Sequence, residues 1–168
     1  MHRKALILIC ILAAILIATS CNTLPEETPQ DFAFTFSYWV GARNVLDTFN
    51  GTYTKDMVMD KPVTIEFHLS KKQLEVVYKK MLEIDFFGYP EQFNPTDNSS
   101  VTRSVTPYST YHFVVRSGDR TKEVYWADEH LSKDPKAKEL RDLIKLIRDM
   151  VESSDEYRRL PAPRGGYA

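Results

Sequence analysis

The sequence carries none of the short motifs that announce the common enzyme classes. No Gly-rich phosphate loop, Gly-x-Ser-x-Gly elbow, His-Glu-x-x-His or Cys-x-x-Cys occurs in its 168 residues. Catalytic groups can still be assembled from scattered positions, so this weakens the case for an enzyme without removing it, and it implies no cofactor. An excess of basic charge is also missing. Lys and Arg total 22 against 23 Asp and Glu, a balance that does not suit a nucleic-acid partner. Cysteine is scarce, with only Cys10 and Cys21. The one long apolar run is the 13 uncharged residues from Ala5 to Ile17, behind Arg3 and Lys4. It falls short of the about 20 residues that cross a bilayer and has the layout of a signal peptide.

That run closes on Ile17-Ala18-Thr19-Ser20-Cys21. The small residues before the cysteine resemble the lipobox of bacterial lipoproteins, although Ala18 stands where a larger aliphatic residue is commoner. Cys10 follows Ile9, which is too large for the cleavage position. The resemblance implies that residues 1–20 are a signal peptide and that Cys21 becomes the new N-terminus, lipidated with a diacylglyceryl group of the palmitate type. Two chains anchor stably where one is marginal. The partner so implied is a membrane, the cell membrane or the outer membrane of a bacterium, with the domain outside the cytoplasm. Asn22 replaces the Asp that marks inner-membrane retention in some two-membrane bacteria.

Processing would leave 20 basic residues against 23 acidic ones. It would also leave no cysteine free to pair, so the stability of the exported domain must come from an apolar core. Residues 21–31 read as the lipidated cysteine and a flexible tether with two prolines. Residues 32–157 read as a single domain, within which Tyr157 can dock. Residues 158–168 read as a loose tail broken by Pro161, Pro163 and Gly165-Gly166.

Within the domain, Phe32, Phe34, Phe36, Tyr38 and Val40 alternate with Ala33, Thr35, Ser37 and Trp39, the pattern of a strand with one apolar face. Val45 to Tyr53 is a further extended run in which Asn50-Gly51 is a hairpin turn or a bulge. Val63 to Leu69 alternates again. Ser70 with Gln73 forms a capping box ahead of Leu74, Val77, Tyr78, Met81 and Leu82, with Gly88 as the left-handed stop and Pro90 beyond it. Tyr108 to Arg116 and Thr121 to Ala127 flank the turn Ser117-Gly118-Asp119. Asp134-Pro135 opens a second helix with Leu140, Leu143, Ile144, Ile147 and Val151 on its apolar stripe. The expected fold is α+β: an antiparallel sheet of about five strands with two helices on one face, in the order βββαββα. This order looks like that of small lipoproteins and periplasmic domains of bacteria, a resemblance that carries no functional residues. His-Leu-Ser-Lys recurs at 68–71 and 130–133 ahead of the two helices, from an internal repeat or from shared capping chemistry.

The candidate ligand-binding residues are Trp39, Arg103 and Tyr108. Trp39 alternates away from the Phe face, whereas Trp126 follows Val124 into the core. Arg103 lies among hydroxyls in the irregular stretch from Gly88 to Pro107 and would suit an anionic group. The ligand expected on this reading is an envelope protein or a small envelope molecule. The rival reading is a surface hydrolase or metal-dependent enzyme, in which His68 and His112 approach each other across the sheet with Glu66 nearby. Asp128-Glu129-His130 has adjacent side chains that point apart. Lys138, Arg141, Lys145 and Arg148 read as members of a mixed, solvated helix face.

Overall fold

The computed structural model describes residues 27–95 and 104–167. Cys21, the expected signal segment and Arg103 lie outside the described residues. The chain forms β1 (Ala33–Tyr38), β2 (Asn44–Asp47), β3 (Thr52–Lys55), β4 (Val63–Glu66), α1 (Lys71–Glu83), β5 (Thr110–Ser117), β6 (Arg120–Ala127), α2 (Pro135–Glu152) and the short α3 (Asp155–Arg158). The six strands make one antiparallel sheet in the order β4-β3-β2-β1-β5-β6. The α+β class is as the patterning predicts, with one strand more. The extra strand comes from Asn50-Gly51, which turns the chain and divides the expected 45–53 run into β2 and β3. Gly51 has φ +65°, so the turn favours glycine for its backbone, and the exposed His68 ring lies over it where an added Cβ would have to displace it.

Alternation sorts the side chains as the sequence implies. Phe34, Phe36 and Tyr38 of β1 point inward with Leu46, Tyr53, Phe113, Val115, Val124 and Trp126, all buried. The opposite face carries Thr35, Ser37, Thr54, Thr64, Val114 and Tyr125, half-buried or exposed. Both main helices cover the aromatic face. Ser70 caps α1 with the full capping box to Gln73, and α1 buries Val77, Tyr78 and Met81. Asp134 caps α2, and Pro135 sits in its first turn. The two His-Leu-Ser-Lys segments therefore differ in use: Ser70 is itself the cap, whereas Ser132 Oγ accepts the N–H of the true cap Asp134 at 3.1 Å.

Two local expectations are corrected. The left-handed residue after α1 is Asp85 (φ 53°), and Gly88 ends a 3-10 turn instead. A Cβ on Gly88 would meet only the end of the exposed Asp85 side chain, which can swing away. The expected loose tail is docked through residue 167. Arg164 makes a two-pronged ion pair with Asp60, at 2.6 and 2.5 Å, and bridges to Val58. Lys55 Nζ donates to the Pro161 carbonyl at 3.0 Å, and the Tyr167 hydroxyl donates to Asp56. Prolines and glycines forbid helix there, but they do not forbid docking.

The topology gives the sheet two unlike ends. At one, named the tether end for the tether expected to precede it, lie the chain entry (27–32), the β2–β3 turn, the start of α1 and the β5–β6 turn. At the loop end lie the β1–β2, β3–β4 and β6–α2 connections, residues 104–109 and α2. That helix crosses the strand ends, with Arg141 over Trp126 of β6, Arg148 over Tyr38 of β1, and Tyr157 beyond it against Tyr53 of β3.

Candidate functional site: the loop end

Trp39 is where β1 stops. Its φ of 80° with ψ −168° is a region that glycine tolerates and a side chain does not. The conformation is held because the Trp39 carbonyl accepts N–H groups from Ala42 at 3.0 Å and Thr110 at 2.9 Å. The twist also breaks the strand alternation. Trp39 was expected to point away from Tyr38, yet one guanidinium, that of Arg148, stands 5.5 Å from the Tyr38 ring and 5.4 Å from the Trp39 ring. Arg148 is oriented by Glu152, one turn on, through Nε and Nη2 at 3.1 and 2.9 Å. Trp39 keeps 43% of its surface exposed.

Trp39 is not alone in its strain. Among the described residues five non-glycine positions have positive φ, and four of them, Trp39 (80°), Ala42 (54°), Val58 (62°) and Leu131 (48°), fall in loop-end connections. Three large apolar side chains stand exposed beside these points: Trp39, Met59 at 76% and Leu131 at 54%. Backbone strain costs roughly 1–3 kcal/mol per residue and persists where surroundings enforce it, commonly at binding surfaces.

Tyr108 belongs to this end, because Ser109 accepts the Asp128 N–H and the following Thr110 bonds Trp39. Two of the three expected binding residues thus share one end, and the neighbours of Arg103 reach it as well: Ser104 Oγ donates to Glu129 at 2.8 Å and Val105 N–H to the Glu129 carbonyl at 3.0 Å. The sequence reading missed Arg141 and Arg148. They are not solvated like Lys145 but lie half-buried on aromatic rings. Arg141 grips Asp128 with Nε and Nη2 at 2.8 and 2.6 Å while its charge lies 4.9 Å from the Trp126 ring. Trp126 is buried in the core, as expected.

The histidines do not meet. His68 bonds Glu66 at 3.1 Å just past β4, and His112 bonds Glu123 at 2.7 Å between β5 and β6. Three strands separate β4 from β5, which is about 19 Å at the ordinary spacing of strands. Among the described residues no three His, Cys, Asp or Glu side chains gather as a metal cluster, and no helix is long and apolar enough to cross a membrane.

No protein-family model and no curated protein matches this chain.

Beneath the loop end sits a pair of buried phenols, Tyr38 and Tyr53, whose hydroxyls are 2.8 Å apart. Burial pushes Tyr38 up to about 12, partly offset by the bond from Tyr53, and pushes Tyr53 up as well, reinforced by Tyr38. A tyrosine whose native pKa exceeds its unfolded value stabilises fully below the unfolded pKa and less above it. Stability should therefore hold from neutral pH to about 10 and fall as pH rises through 12. Urea midpoints measured across that range should decline steeply for the natural chain and less steeply for a Tyr38→Phe/Tyr53→Phe double variant. Equal slopes would remove the phenol pair as the cause.

Proposed function

We propose that the chain is an exported bacterial lipoprotein, anchored through Cys21, whose domain is a non-enzymatic binding module that engages a protein of the cell envelope through its loop end. The observation that carries the binding part is that exposed Trp39, Met59 and Leu131 all lie at one end of the sheet, at or next to residues of positive φ, with the Arg148 guanidinium over the Trp39 ring. Tryptophan and arginine are the side chains most enriched at energetic centres of protein interfaces, and apolar groups held rigidly in the free state lose little entropy on binding. The lipobox-like Ala18-Thr19-Ser20-Cys21 supports the anchor.

The test has two arms. A Cys21→Ala chain should lose metabolic palmitate labelling and leave the membrane fraction. If it partitions as the natural chain does, the anchor is wrong. In crosslinked cells, Trp39→Ala should deplete a specific crosslinked partner of the natural chain by the equivalent of about 2 kcal/mol, roughly thirtyfold in affinity. A partner retained equally by Trp39→Ala and Leu131→Asp would place binding elsewhere.

A further inference from the structure

The way the chain enters the domain bears on how an anchored domain would sit. Residues 27–30 and Phe32 run beside α1, and together with Lys71, Leu74, Glu75 and Lys79 they wall a groove of about 810 Å³. Asp31 fixes the entry point: its Oδ1 accepts the Gly118 N–H at 3.1 Å, and its Oδ2 lies 3.9 Å from Arg116 Nε. Between Cys21 and Glu27 the chain can reach no more than about 20 Å even fully extended. A lipid on Cys21 therefore holds the tether end, and not merely the domain, close to the bilayer.

The same end presents Phe49. It stands at the tip of the β2–β3 turn with 38% of its surface exposed. Asp47 Oδ1 accepts the backbone N–H groups of Phe49 and Asn50 at 2.9 and 3.1 Å, which fixes the tip. The Arg116 guanidinium lies 5.1 Å from the Phe49 ring. Lys71 and Lys72 are exposed at the start of α1. Two of the acidic residues here, Asp31 and Asp47, already accept backbone N–H groups. An apolar ring with a guanidinium over its face, and two exposed lysines at the same end of the sheet, fit the headgroup level of a bilayer, where the ring leaves water and the cations meet lipid phosphates.

We propose that the tether end rests on the phospholipid surface, with Phe49 entering the headgroup layer and Arg116, Lys71 and Lys72 facing its phosphates. This orientation rests on the anchor proposed above. It points the loop end away from the membrane by at least the length of β1, about 20 Å for its six residues. Trp39, Met59 and Leu131 then face the space in which a partner is met.

Processing removes Cys10 and acylates Cys21, so one introduced cysteine is the only free thiol for a spin label. The lipidated chain is reconstituted into vesicles containing an anionic phospholipid, with the label at Asp119→Cys on the tether end or at Met59→Cys on the loop end. The ratio of collision rates with oxygen and with a water-soluble nickel chelate should be several-fold higher at 119 than at 59. Phe49→Ala should lower the ratio at 119. Equal, water-like ratios at the two positions overturn the orientation, as does a label at 119 that is immobilised without gaining oxygen collisions, the mark of a protein partner there. An unchanged ratio in Phe49→Ala overturns the role of that ring. If instead the purified chain bears no acyl group and does not float with vesicles, the anchor fails and the orientation with it.

Discussion

Arg141→Ala is expected to cost the domain about 3 kcal/mol, the low end of the range for breaking a buried ion pair, because the arginine side chain keeps 30% exposure. The carboxylate it leaves behind is the reason. Asp128 is only 6% exposed, and both of its oxygens are satisfied by the Arg141 fork. Arg141 Nη1 also donates to the Ser132 carbonyl at 2.7 Å, which ties the β6–α2 connection to the helix, so Leu131 should lose its fixed position in the variant. Urea unfolding should show a lower midpoint at an unchanged slope. Arg141→Lys should fall between, since an ammonium keeps the charge but not the planar fork or the stacking on Trp126. The Asp128→Ala/Arg141→Ala double variant should be more stable than the two single losses predict, because removing both partners leaves no buried charge unmet. Strict additivity would mean that the pairing with Asp128 contributes nothing and that Arg141 acts through its packing on Trp126 and its bond to Ser132.

Arg141 also marks the limit of what patterning conveys. Alternation in 32–40 predicts which β1 side chains are buried, since period 2 is a direct consequence of strand geometry. The helix starts are as legible, because Ser70-Gln73 and Asp134-Pro135 satisfy free N–H groups with residues four or fewer positions apart. Trp39 escapes the same alternation. Its φ of 80° is imposed by hydrogen bonds to Ala42 and to the distant Thr110, and no local rule contains that second bond. Arg148 and Lys145 look alike in sequence, each four residues before a carboxylate, yet Lys145–Asp149 is an exposed pair whereas Arg148 is roofed onto two rings. A usable signal was present. Arg141 and Arg148 are the only arginines of α2, two turns apart, and they flank the stripe of Leu140, Ile144, Ile147 and Val151, where a side chain lies along the rim of the core. The separation of His68 from His112 depends on strand order, which side-chain periodicity does not carry.

Phe113→Ala is expected to be the most damaging core substitution, at about 4 kcal/mol within the range of large-to-small aromatic losses. Phe113 is fully buried in β5. Its ring stacks on Phe36 of β1 at 4.4 Å and 20°, and meets Phe86 edge-on at 5.3 Å and 71°. It therefore removes two aromatic contacts together with the buried volume. The site is a seam: β5 joins the β1–β4 meander to the β5–β6 hairpin through the pairing of β1 with β5, and Phe86 brings the end of α1 onto the same ring. A cavity there loosens three elements at once. Against the usual 5–15 kcal/mol for a domain, such a loss lowers the melting temperature by roughly 10–15 °C. Phe49→Ala, which removes the same side chain from an exposed turn, should leave melting nearly unchanged. If the two variants melt alike, the aromatic seam does not hold the sheet together and the stability of the domain lies in its helices.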